Sequence, residues 1–381
     1  VSFDDGARWQ PLQPTGEGDG PRQLPPAPMY WSVVQPQFRD LVVGTYGRGI
    51  WILDDISPLE QADVDAMGAD LHLFRPREAV RYRTVQGRLS GELQTHMHTE
   101  NAKPGVPIDY WLGGAARGPV SIQVVDADGN VVRQLDGTAS RGLNRVWWDL
   151  RYPDRKTVRL RMPPPNALWR EVPREGLPSQ QWGGGFQHGP EVVPGTYTVR
   201  VSAGGEPATR KLTVVKDPHS KGSVQDIREQ VALSRQLQDE VNRVVDAVNR
   251  LEWIRRQLDD LRRSLPDEGP GAVLADSVAA VQARATAVEE MLMDVHRPGG
   301  VEEFQTPMKL YGRYIHLMSE LDGSSDFAPT GPDRQVHQAL KSGLSEAERA
   351  LQELVGTTIP ALNDRLRAAD RTAVSVGTGG R

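Results

Sequence analysis

His96 and His98 stand two residues apart, a spacing that puts both imidazoles on one face of a strand, and Glu92 or Glu100 could join them around a divalent metal. Zinc sites need three or four fixed ligands and this spacing assures no third, so a solvated loop is preferred and no metal site is predicted. Asp126-Ala-Asp-Gly-Asn130 has calcium-like acidic spacing, but no Glu occupies the twelfth loop position and the flanks read as strands, which favours a hairpin turn on Asp128-Gly129. Arg48, between two glycines and close to Trp51, could clasp a carboxylate, a sugar or a partner strand; packing at the closure of a ring of strands is the preferred alternative. Trp169, Trp182 and Phe186, with Arg170 and several glycines, could form a sugar-stacking or protein-contact surface. Asp54 and Asp55 are adjacent, so on a strand they point to opposite faces; they read as caps and turn acceptors, not as an acid–base pair. Gly44-Thr-Tyr-Gly-Arg-Gly49 carries glycines but leads into a strand, and no Gly-x-Ser-x-Gly, His-Glu-x-x-His or P-loop pattern occurs. No catalytic residue and no cofactor is predicted.

The most specific short pattern is Ser2-Phe-Asp4-Asp-Gly6-Ala-Arg-Trp9, which fits Ser-x-Asp-x-Gly-x-x-Trp at all four defining positions. The Asp4 carboxylate can accept backbone N–H groups in a tight turn, Gly6 can supply a positive φ, and Trp9 can pack beneath. The role of these four residues is structural, a staple between two strands.

Length and composition limit what those residues can belong to. At 381 residues the chain calls for two or three cores. With 45 Lys and Arg against 50 Asp and Glu, the net charge of -5 creates no field that would gather nucleic acid or an anionic membrane. No apolar run approaches the roughly 18 residues of a membrane span, so a soluble protein is expected. There is no cysteine, which removes disulfides, thiolate zinc sites and a cysteine nucleophile. The chain opens Val1-Ser2-Phe3 without Met or a signal sequence, so the reading places an export signal and further domains upstream.

The elements read as follows. Residues 1–62 contain short strands at Trp31–Val34, Asp40–Gly44 and Gly49–Leu53, evenly spaced like those of one β-propeller blade, which cannot bury its faces alone. Residues 63–80 form a connection. Residues 81–217 read as an immunoglobulin-like β-sandwich with an insertion at 154–194 that lies outside the core. Beyond Asp217-Pro218 the period becomes helical: Leu237, Val244, Leu251, Leu258 and Leu265 recur every seven residues, with Val241, Val248, Ile254 and Leu261 on the same side. Four helices, about 224–265, 272–296, from Thr306 to 323, and 332–369, make an antiparallel four-helix bundle over residues 218–370. Pro360 should kink or end the fourth helix near Ile359. Residues 371–381 read as a disordered tail.

On these residues the chain resembles the bacterial Asp-box proteins, the BNR-repeat or sortilin-like β-propellers often grouped with glycosyl hydrolases. The pattern at Ser2–Trp9, the segment Asp40-Leu-Val-Val-Gly-Thr-Tyr-Gly-Arg-Gly-Ile-Trp-Ile-Leu-Asp-Asp55 and the following Asp70-Leu-His-Leu-Phe-Arg-Pro76 are similar to that family's last blade and what comes after it. Val125–Arg133, Gly142–Tyr152 and Pro194–Val199 resemble the immunoglobulin-like modules of flagellar hook-capping and surface proteins. The resemblance implies the C-terminal portion of a secreted or periplasmic protein, a truncated propeller followed by a sandwich and a bundle. It also implies a non-catalytic scaffold that binds protein or carbohydrate, with oligomerisation through the bundle as a further option. The alternative is an accessory region of a propeller-type glycoside hydrolase whose paired carboxylates lie in other blades.

Overall fold

The structure is a computed structural model describing residues 26–82, 103–179, 187–266, 268–296, 307–323 and 326–377, and before them residues 2, 6, 7, 9 and 24. It is a mixed α and β protein whose chain divides into two units, residues 1–153 with 191–220, and residues 154–190 with 221–381.

The first unit is built from strands. β1 (Met29–Gln35), β2 (Asp40–Thr45) and β3 (Ile50–Leu53) form an antiparallel sheet in that order. Two short helices, α1 (Ser57–Gln61) and α2 (Val64–Gly68), follow, the second capped by the Asp63 carboxylate, which accepts the Ala66 N–H. The next strands are β4 (Leu71–Leu73), β5 (Ala79–Arg81), β6 (Val106–Leu112), β7 (Val120–Val125), β8 (Val131–Gly137) and β9 (Gly142–Trp148). After β10 (Arg159–Leu160) and β11 (Leu177–Pro178), which belong to the second unit, come β12 (Gly195–Ser202) and β13 (Ala208–Lys216). They make a five-stranded sheet β5-β13-β12-β7-β8 and a three-stranded sheet β4-β6-β9. Ile108, Tyr110 and Leu112 of one sheet share a core with Ile122, Val124, Val199, Val201 and Leu212 of the other, each drawn from alternate positions of its strand. Residues 63–80 are therefore more than a connection: β4 and β5 are edge strands of the two sheets. Gly105 has φ +110, and a Cβ there would meet the Trp148 carbonyl oxygen at 2.1 Å, so only glycine lets the chain enter β6 at this point.

One guanidinium ties the end of β3 to the β4-β6-β9 sheet. Arg145 on β9 stands opposite Asp109 on β6 in the strand register and donates to both its carboxylate oxygens, at 2.7 and 3.1 Å. The same guanidinium donates to the carbonyls of Asp54 (2.7 Å) and Asp55 (2.6 Å) at the end of β3. Asp55 is buried in a left-handed conformation (φ +48); its N–H is accepted by Asp40, its carboxylate accepts the Ser57 N–H, and Arg77 lies 3.4 Å away.

The second unit is organised on α3 (Val224–Ser264), opened by a reciprocal capping box between Ser223 and Asp226. Leu237, Val241, Val244, Val248, Leu251, Ile254 and Leu258 are fully buried, as their spacing requires. They share one core with α4 (Pro270–Leu292), α5 (Leu310–Gly323), α6 (Gly331–Glu353) and α7 (Ile359–Ala368). Three readings of this half change. The third helix starts at Leu310; Pro307 precedes it, and Thr306 lies outside the described residues. At Pro360 the helix neither ends nor breaks: a π-helical turn, Leu354–Thr358, joins α6 to α7, and the Ile359 N–H reaches back to the Leu354 carbonyl. A proline ring would clash with the carbonyl four residues back in a regular α-helix, and the wider turn removes that conflict. Residues 371–377 are not a disordered tail, since Val374 is only 5% exposed and joins the helical core.

The segment 154–190 clusters with the helices and contributes to their core, contrary to its reading as an insertion of the sandwich. Val158 is fully buried there, and β10 pairs with β11. Side chains of α3 capture its backbone in sequence. Asn242 accepts the Lys156 N–H (2.8 Å), Asn249 accepts from Arg159 (2.7 Å) and donates to the Thr157 carbonyl (3.1 Å), and Glu252 accepts from Arg161 and Met162. Buried backbone groups without such partners are costly, so this polar stripe fixes the segment's register.

Replacing Arg145 by Ala leaves the buried Asp109 carboxylate and two carbonyls unpaired, and urea unfolding should show a loss of about 3 kcal/mol. The double substitution Arg145→Met, Asp109→Leu should recover most of it, because the cost lies in the orphaned charge.

Candidate functional site

The sequence candidates fall in several places. In the Ser2–Trp9 pattern the Gly6 N–H donates to the Ser2 hydroxyl at 2.8 Å and Gly6 has φ +89. The Trp9 ring lies beside Gly6 but is exposed, and Asp4 lies outside the described residues. His96, His98, Glu92, Glu100, Trp182 and Phe186 also lie outside them. Trp169 is exposed. The Asp126 carboxylate is engaged within its own turn, accepting from Asp128 and Asn130 backbone N–H groups and from the Asn130 side chain. No group of three or more His, Asp or Glu suited to a metal occurs among the described residues. Asp54 is exposed, and its carboxyl sits above the usual range mainly through partial loss of solvent, with the Asp40 charge adding.

Arg48 and Trp51 do come together, at one end of the β1–β3 sheet. Gly47 and Gly49 both take positive φ, +70 and +76, and the Trp51 indole donates to the Arg48 carbonyl at 2.9 Å. The same end carries Tyr30 and Tyr46, both exposed and stacked with ring centroids 5.9 Å apart. The register sets Trp31, Gly44 and Ile50 in one row and Val33, Val42 and Ile52 in the next, on one face. That face is uncovered: Trp31 is 74% exposed, Ile50 73% and Ile52 61%. The sequence carries a signal for it: Ile50-Trp51-Ile52-Leu53 is apolar at every position, the mark of a strand meant to be covered on both faces. A patch of this kind marks a contact surface.

Two polar clusters lie inside the helical unit. Arg255 donates to Glu289 on α4 (2.8 Å) and meets Glu252 at 3.2 Å, with all three side chains buried. Burial, then the Glu252 charge, pushes the Glu289 carboxyl well above the usual range despite Arg255. Glu240 and His337 meet at 2.9 Å between α3 and α6, and burial, with Glu240 adding, raises the Tyr314 hydroxyl beside them. Both clusters are buried among helices and read as internal fastenings. Among the described residues no helix is long and apolar enough to cross a membrane. Comparison with family models and with curated proteins returns no match for this sequence.

Ile50→Thr and Ile52→Thr keep β-branching on an uncovered face, so each should change stability by no more than about 0.5 kcal/mol in urea unfolding while reducing self-association in light scattering. Glu289 gives a pH signature. Its folded pKa is raised, so the stability its proton supplies is complete below the unfolded glutamate value of 4.5 and declines as pH rises towards the folded value. Glu289→Gln should flatten that decline in unfolding measured from pH 4 to pH 8.

Proposed function

We propose that this chain is the non-catalytic C-terminal region of an extracytoplasmic protein of the Asp-box propeller type, acting as a scaffold that binds protein or carbohydrate. The carrying observation is the uncovered apolar face of β1–β3, with Trp31, Val33, Ile50 and Ile52 in rows on one side. A propeller blade has such a face because its neighbour packs against it. In this reading β1–β3 belong to the terminal blade and the face takes the adjoining blade of the parent protein. The stacked Tyr30 and Tyr46, with Arg48, then stand at its margin, where aromatic and guanidinium groups suit a protein or sugar partner.

The two sheets β5-β13-β12-β7-β8 and β4-β6-β9 fit an immunoglobulin-like sandwich. Tyr197 supports this, since its hydroxyl donates to the Val193 carbonyl four residues upstream (2.6 Å), as the tyrosine corner of such sandwiches does, while its ring packs edge-on against buried Trp148. In this reading the helices α3 to α7 are the protein's helical bundle. A non-catalytic role agrees with the use of the charged residues: Asp55, Asp109, Asp126 and Glu252 are occupied by backbone or guanidinium partners.

The test compares this chain with a longer protein carrying the parent's preceding blades, by hydroxyl-radical footprinting over residues 29–53. Protection of Trp31, Ile50 and Ile52 in the longer protein is expected. Equal labelling in both proteins would overturn the blade assignment, and hydrolysis of a glycan by the present chain alone would overturn the non-catalytic one.

A further inference from the structure

The backbone of residues Val374–Val376 is held by side chains of two helices, and Val374 is also buried in the helical core. Asn363 on α7 accepts the Val374 N–H (2.7 Å) and donates to its carbonyl (3.0 Å). Gln257 on α3 does the same for Ser375, at 2.8 and 2.9 Å. One heptad earlier on that helix, Arg250 donates to the Val376 carbonyl at 2.6 Å. The side chains alternate as a strand's would: Val374 enters the core, Ser375 is exposed, and Val376 packs partly against the core. Two side-chain amides, each making the paired contacts that a neighbouring strand would make, form a reader of peptide backbone. The side-chain requirement is confined to two aliphatic positions flanking a small polar one.

The connection that delivers this segment is strained. Helix α7 ends in a Schellman turn, with the Arg371 N–H on the Leu366 carbonyl and the Asp370 N–H on the Arg367 carbonyl. The residue required to adopt the left-handed conformation is Asp370, at φ +55, where glycine is the usual occupant. The tail is thus held by paired contacts to its backbone together with burial of Val374, and it follows a turn whose left-handed residue is Asp370.

We propose that the face formed by Arg250, Gln257 and Asn363 is a binding site for a strand-like peptide of aliphatic–small polar–aliphatic pattern from a partner protein, closed in the isolated chain by its own residues 374–376. The inference is independent of the propeller reading, since it rests on the helical unit alone.

The chain has no cysteine, so Gly377→Cys in the full-length protein accepts a single fluorophore beside the site. Tethering puts the tail at an effective concentration in the millimolar range, so a synthetic peptide of residues 371–377 is titrated through that range while the label's anisotropy is followed. A saturable fall in anisotropy is expected as the peptide displaces the tail, with no fall for the same peptide carrying Val374→Asp. Asn363→Ala and Gln257→Ala should each lower the starting anisotropy, since the tail loses a paired amide contact worth about fivefold or more in its bound fraction. Asp370→Gly should raise the peptide concentration needed, because the Schellman turn is then unstrained. Val374→Asp in the protein itself supplies the free-tail signal. An unchanged signal at saturating peptide, with that control showing the low anisotropy of a free tail, would overturn the proposal; so would a control no different from the parent, since the tail would then not be held as described.

Discussion

A backbone N–H or carbonyl removed from water must find a partner, and much of this structure follows from where irregular segments find theirs. Regular strands and helices satisfy their own backbone. The segments between them do not, and here side chains of the regular elements supply the missing groups: Arg145 for the end of β3, Asn242, Asn249 and Glu252 for residues 156–162, Asn363 and Gln257 for Val374 and Ser375. Gln230 does likewise, its buried amide donating to the Leu321 carbonyl near the end of α5.

This makes α3 more than the long side of a hydrophobic core. Its apolar seam turns inward, while two polar stripes flanking the seam each repeat at seven residues, Asn242 with Asn249 and Arg250 with Gln257. A heptad step returns to nearly the same azimuth, about 20° away on a straight helix, so residues spaced by seven can follow an irregular chain laid along the helix. Each stripe is occupied by a different segment of the chain. Charges beside them are held within the same logic: Glu252 divides its oxygens between backbone N–H groups and Arg255, and burial beside the Glu252 charge holds the Glu289 carboxyl well above the usual range.

In the first unit the corresponding hub is Arg145. A cross-strand partner to Asp109, it also donates to two carbonyls at the end of β3, and so couples the β1–β3 sheet to the β4-β6-β9 sheet through one side chain. Asp55 accepts a left-handed backbone at this junction because its N–H, its carbonyl and its carboxylate all gain partners there. The uncovered face of the same sheet has no such internal solution, since apolar side chains need area from a neighbour and no hydrogen bond substitutes for it.

The sequence by itself determined the elements whose signal is periodic and local. Leu237, Val244, Leu251 and Leu258 located the seam of α3, Asp128-Gly129 located the β7–β8 hairpin, and alternating apolar residues located most strands, because each depends on neighbours within one or two turns of chain. The tertiary structure alone decided the rest. Residues 154–190 carry the Pro and Gly of a loop and no period, yet Val158 is buried, because the amides that hold the segment come from residues some 90 positions away. Residues 371–377 look like an unstructured end until Asn363 and Gln257 are brought beside them. Pro360 announces a break, but burial of Leu354, Ile359 and Leu362 in the common core favours continuing the helix through a π turn. In each case a long-range partner outweighs a local preference, and sequence spacing does not encode long-range partners.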